Sequence, residues 1–147
     1  MGVFNSLAIS ASGLTAEKLR LELISNNIAN MNTIGRPDDP ANPPYLRKIP
    51  VFAQIMEQVG GSGFSRLSFK GAGVRVARVL ADDQPPRLVY EPSNPIADSR
   101  GYVAYPNINL VNEMVNMISA TRSYEANVTA LNAAKDIALR ALEIGRG

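Results

Sequence analysis

The stretch NINLVNEMVNMISATRSYEANVTALNAAKDIALRALEI, residues 107–144, decides the fold. It contains no proline and no glycine, so nothing in it would break a helix begun near its start. At ~1.5 Å per residue that helix would run about 57 Å, longer than a small domain is wide. Leu110, Met114, Met117, Thr121, Tyr124, Val128, Leu131 and Leu142 recur at three- and four-residue spacing and predict one apolar seam, interrupted by Lys135. Ala126, Ala130, Ala133, Ile137, Ala141 and Ile144 predict a second face of small and apolar residues. A narrow ridge of charge separates the two: Arg122, Glu125, Asp136, Arg140 and Glu143. A surface helix of a monomer needs one apolar face, and this one carries two.

The amino-terminal end repeats the pattern. Residues from about Asn5 to Ala29 predict a helix in which Leu7, Leu14, Leu21 and Ile28 recur every seven positions. Ala11 and Ile24 widen that stripe, while Ile9, Ala16, Leu19 and Leu23 lie nearly opposite. Most of the prolines and glycines fall between the two helices, where short alternating runs predict strands at Tyr45–Phe52, Phe64–Phe69, Gly73–Leu80, Arg87–Tyr90 and Tyr102–Tyr105. The segment GRPDDPANPP, residues 35–44, reads as a mobile polar loop, and Gly60-Gly61-Ser62-Gly63 as a flexible turn.

The expected class is therefore α+β. Long N- and C-terminal helices, within residues 1–34 and 107–147, pair as a coiled-coil-like layer, and a small β-rich region, residues 35–106, is inserted between them. That middle region is too small to cover the second face of both helices, so the remaining apolar surface needs other copies or other chains.

Composition removes most chemistry. Neither cysteine nor histidine occurs, so the chain lacks a thiolate nucleophile, a sulfur-bound metal, the usual general base and the commonest transition-metal ligand. No serine has a lysine three positions on, and the adjacent carboxylates Asp38-Asp39 and Asp82-Asp83 sit beside prolines as solvated turns. The glycine-rich turn at 60–63 has no following Lys-Ser/Thr, which a phosphate loop would require. The net charge is +2, but the arginines are scattered rather than gathered into a stripe, which argues against a nucleic-acid groove. No apolar run approaches the ~20 residues of a membrane span, and the first residues make a poor cleavable signal.

Four asparagines crowd SNNIANMNT, residues 25–33. Asn disfavours helix interiors and tolerates helix ends, so Asn30 or Asn32 suits a cap. Asn26 and Asn27 come too early for that and would bond sideways and fix register, or lie on a frayed helix end.

SNNIANMNT resembles the asparagine-rich signature of bacterial flagellar axial proteins, and LAISASGL, residues 7–14, resembles the stretch that precedes it. Residues 73–146 are similar nearly throughout to the flagellar basal-body rod family, most specifically in GYVAYPNINLVNEMVNMI (101–118) and RSYEANVTALNAAK (122–135). Residues 45–56 share the likeness, whereas 34–44 and 57–72 depart from it. The resemblance implies a structural subunit that stacks helically into the periplasmic proximal rod and transmits torque. It implies self-association and partners among proximal and distal rod subunits and the membrane-ring adaptor. It also implies export without a cleaved signal, and no cofactor, metal, nucleic acid or small-molecule substrate.

The asparagine signature carries to Asn26, Asn27, Asn30, Asn32 and Thr33. The carboxy-terminal packing motif carries to Met114, Met117, Ile118, Arg122, Tyr124, Glu125, Asn127, Asn132 and Lys135. With Leu7, Leu14, Leu21, Ile28, Val128, Leu131 and Leu142 from the seams, these residues make up the expected assembly interface, in which the asparagines lock the first helix against neighbouring subunits. The competing readings are another flagellar axial component, and a soluble β-domain binding module with helical oligomerisation arms.

Overall fold

The computed structural model describes residues 3–59 and 68–145, without the side chains of residues 3, 57–59 and 68–70. Two long helices, α1 (Val3–Ala29) and α2 (Leu110–Ile144), enclose in sequence four strands: β1 (Lys48–Val59), β2 (Ser68–Ala81), β3 (Arg87–Tyr90) and β4 (Tyr102–Tyr105). The strands form two antiparallel pairs, β1–β2 and β3–β4. The molecule is α+β.

Helix α2 starts later than residue 107 because Asn109 caps it. The Asn109 side chain accepts the Asn112 N–H at 3.1 Å, satisfying one of the free donors of the first turn. From there 35 residues run unbroken, which at 1.5 Å each is about 52 Å.

The helices lie side by side and antiparallel. Asn27 bonds to Glu113, and Gly13 lies against Asn127, so equal steps along the two chains run in opposite directions. A Cβ on Gly13 would stand 2.9 Å from Asn127 Oδ1. Glycine costs a helix about 1 kcal/mol relative to alanine, and close approach of α2 is what this one permits.

The line of contact differs from the predicted seam. The most buried positions are Gly13, Ala16, Leu23, Ile24 and Asn27 on α1, and Glu113 and Ala120 on α2, flanked by half-buried Met117, Tyr124, Asn127, Val128 and Leu131. Leu7, Leu14, Leu21 and Ile28 are half-buried on the flank, while Met114, Thr121 and Leu142 are exposed. On a wheel of ~100° per residue the buried line of α2 is turned about 60° from the row of large apolar residues. Close packing selects small residues for the centre of the contact, and hydrogen bonding puts Asn27 and Glu113 there.

The long β1–β2 arm stands edge-on against α1. Tyr45–Phe52 begins as a strand only at Lys48 and continues to Val59; from Ser68 the predicted second and third runs merge into one strand. The turn at residues 60–63 lies outside the described residues. Register shifts opposite Val51/Phe52 and Ile55/Met56 leave Ala77 and Ala72 as the extra residues of two bulges. Beside the second bulge, Gly73 has φ +126°, and its α-carbon faces Ser12 so closely that a Cβ would overlap the hydroxyl. Ser12 Oγ accepts the Val74 N–H at 3.1 Å and donates to the Ile9 carbonyl at 2.7 Å, clipping the arm to the helix.

Residues 35–44 are tied down rather than free. Gly35 exchanges both backbone hydrogen bonds with Ala104 of β4 at 2.9 and 3.0 Å. Arg36 N–H bonds the Asn42 carbonyl, and the Asp39 carboxylate accepts the Ala41 N–H and the Asn42 amide. Those bonds hold the Asp39 carboxyl below its ordinary pKa. The loop between β3 and β4 folds around Asp98, whose carboxylate accepts the N–H groups of Tyr102 at 2.7 Å and Arg100 at 2.9 Å.

Gly73→Ala should destabilise the protein by about 2–3 kcal/mol, because it combines a disfavoured φ with an overlap on Ser12. A lowered midpoint in urea unfolding measures this.

Candidate assembly site: a buried polar junction and open helix faces

Asn27 lies in the last turn of α1 and is 1% exposed. Its amide is fully used. Oδ1 accepts the Lys48 N–H at 2.9 Å and the Tyr45 hydroxyl at 3.1 Å; Nδ2 donates to the Lys48 carbonyl at 3.0 Å and to Glu113 Oε2 at 3.1 Å. The orientation of the amide follows from its partners, since a backbone N–H can only donate and a carbonyl can only accept. Toward Lys48 the side chain imitates a neighbouring strand, exchanging both bonds with one peptide.

Glu113, in the first turns of α2, is also 1% exposed. Its Oε1 receives Arg47 Nε at 2.8 Å and Nη2 at 2.6 Å. Arg47 reaches on toward Asp82 at 3.5 Å, and the Asp82 N–H bonds back to the Arg47 carbonyl at 2.8 Å. Burial, and then the Glu113 charge, push the Tyr45 hydroxyl above its ordinary pKa, so it stays a donor to Asn27. One junction thus joins α1, the segment before β1, the end of β2 and the start of α2. No described buried side-chain nitrogen or oxygen lacks a partner.

The other asparagines do different work. Asn30 closes the helix: its N–H and its side-chain amide both bond the Asn26 carbonyl, at 3.0 and 2.9 Å, and its Oδ1 accepts the Thr33 hydroxyl at 3.1 Å. The Asn26, Asn32 and Thr33 side chains are exposed. The expectation that Asn27 bonds a neighbouring subunit is corrected, because every hydrogen-bonding position on its amide is already occupied within the chain.

Sequence reasoning missed Tyr45, Arg47 and Glu113. Glu113 did carry a signal. It falls about 150° from the charged ridge of α2 on the helical wheel, so it could not share the ridge's wet side.

The second feature is the outer surface of α2. Met114 is 52% exposed and Ile118 59%, beside exposed Val111 and Val115. Farther along, Ala126, Ala130, Asn132, Ala133, Ile137, Ala141, Leu142 and Ile144 are exposed as well. Among the expected interface residues, then, Met114, Ile118, Asn132 and Leu142 face outward, while Met117, Tyr124, Asn127, Val128 and Leu131 border the helix pair.

Comparison with known proteins matches these same segments. The family model for flagella basal body rod proteins covers residues 7–35, and the one for the carboxy-terminal region of flagellar basal body rod FlgEFG proteins covers 99–144. The flagellar basal-body rod protein FlgC of Bacillus subtilis is 43% identical, over 99% of this chain and all of that protein. That of Borreliella burgdorferi is 43% identical over the whole of both, and that of Salmonella typhimurium 39% identical over 99% of this chain and all of that protein. The chain belongs to the FlgC family of flagellar basal-body rod proteins. The family is one of structural rod subunits of the basal body. The two family matches contain Asn27 and Glu113 respectively, and Arg47 lies between them.

Asn27→Ala should cost about 3 kcal/mol or more, because it strips partners from the Lys48 peptide, Tyr45 and Glu113 at once. Asn30→Ala should cost about 1 kcal/mol or less, since its bonds are at an exposed helix end. Chemical unfolding of the two variants side by side distinguishes a buried junction from two equivalent interface asparagines.

Proposed function

We propose that this chain is a subunit of the proximal rod in the periplasm, exported without a cleaved signal. It would stack helically with copies of itself, with other rod subunits and with the membrane-ring adaptor, and carry torque as part of the shaft. In this reading the two helices form the inner, coiled-coil-like layer, and residues 35–106 form the part outside it. Members of this family are structural proteins, and the reading needs no catalysis, cofactor or metal.

The observation that carries the proposal is the uncovered apolar surface on α2. The accessible surface of the chain is 10336 Å², whereas a compact monomer of 15.8 kDa would expose about 7300 Å². The excess, about 3000 Å², is enough for more than one protein–protein contact of ordinary size. Contacts between unlike faces of successive copies generate open helical assemblies, as a rod requires.

Met114→Glu combined with Ile118→Glu tests this in a flagellated host lacking its own copy of the gene. Both side chains point outward, so the circular dichroism of the purified variant should match the parent. Swimming should be lost, with basal bodies arrested before the rod is complete. Normal swimming with normal rod yield would remove the outer face of α2 from the assembly.

A further inference from the structure

The β1–β2 arm is fastened to α1 at two points. At its root, Lys48 shares two hydrogen bonds with Asn27, at 2.9 and 3.0 Å. Farther out, the Val74 N–H reaches Ser12 Oγ at 3.1 Å. Asn27 and Ser12 are about 22 Å apart along the helix. Two points define a line, and a body held at two points can still turn about it.

The strands also pack on α1, but on that helix alone, so this packing lies along the same line, and open clefts border it. An open cleft of about 590 Å³ flanks the arm on one side, walled by Thr15, Leu19 and Ile55. On the other side a cleft of about 620 Å³ separates Phe52 from Gly13 and Asn127. Neither strand of the arm packs on α2 among the described residues.

The third fastening lies off this line. Arg47, immediately before β1, reaches across to Glu113 on the other helix at 2.6 and 2.8 Å. Three points that are not collinear fix a rigid body. A buried ion pair contributes little net stability compared with an apolar pair of the same volume, because desolvation offsets the attraction. What it supplies is direction.

We infer that Arg47 and Glu113 are positioning residues that set the roll of the β1–β2 arm about α1. The roll decides the direction in which the subunit presents its arm to neighbours; that consequence rests on the rod reading, whereas the roll itself belongs to the isolated chain.

The test uses the double variant Arg47→Met/Glu113→Gln, in which residue 113 keeps an oxygen for Asn27. The chain has no native cysteine, so nitroxide labels go on Met56→Cys in the arm and Ser119→Cys on the exposed side of α2. A second pair, Ala11→Cys with Ala130→Cys, reports on the helices alone. The arm-to-α2 distance distribution should become about twice as broad when the third fastening is removed, while the helix-to-helix distribution stays narrow. If the double variant loses the narrow helix-to-helix distance, the isosteric Glu113→Gln alone decides, with a smaller broadening expected. An unchanged arm distribution in a folded variant overturns the inference. Broadening together with normal rods and swimming would overturn the consequence for assembly while leaving the rod reading, tested through Met114 and Ile118, untouched.

Discussion

The structure depends on one saturated amide. Asn27 uses two donors and two acceptor sites on groups from two other parts of the chain. Burying it without those partners would cost several kcal/mol, so the partners and the amide require one another. An apolar residue at this place would pack but would not distinguish one register of α1 on α2 from the next. The amide does, because its bonds exist only when Lys48, Tyr45 and Glu113 arrive together. The few fully buried apolar residues, among them Ala16, Leu23, Ile24 and Ala120, are mostly small. They contribute modest hydrophobic stabilisation, and the polar junction contributes the specificity.

This division explains which parts of the fold the sequence discloses. The two helices are legible because residues 107–144 lack every breaker and because Leu7, Leu14, Leu21 and Ile28 repeat so regularly. The face that meets the partner helix is not legible from hydrophobicity. Gly13, Ala120, Asn127 and Glu113 mark it, and a count of large apolar side chains places it on the flank. The strands are legible in kind but not in extent. Nothing local announces that two runs join through a bulge at Ala72, since the bulge follows from Gly73 having to pass close to Ser12. Of the site, the asparagines stand out in the sequence. Their separate duties depend on distant residues, Lys48 and Glu113 for Asn27, and on the local helix end for Asn30.

The two stretches matched by the family models, and the segment between them that leads into β1, meet at the junction. Asn27 comes from the amino-terminal stretch, Tyr45 and Arg47 from the short one before β1, and Glu113 from the start of α2. Far apart in sequence, they are adjacent because each supplies what the others lack: an amide, a hydroxyl and a cation, and a carboxylate. On the proposed reading, a subunit stacked in a rod needs its helices and its arm at a fixed angle, since an angular error in each copy would accumulate along the stack. Directional bonds at the point where those elements converge limit that error more effectively than nondirectional packing.

The same chain guards against the wrong kind of growth. A two-stranded arm has two free edges, and free edges recruit strands from other molecules. Here β2 presents the Val74 N–H to Ser12, so that stretch of edge is occupied by α1. On β1, alternate residues direct their peptide groups outward. Lys48, the first of them, spends both of its groups on Asn27. Pro50, the next, has no N–H to offer. The root of the arm is thereby closed to strand addition, while the apolar outer face of α2 stays open. On the proposed reading, growth is thereby directed to helix against helix, the mode in which side-chain shape and small residues can specify one neighbour geometry.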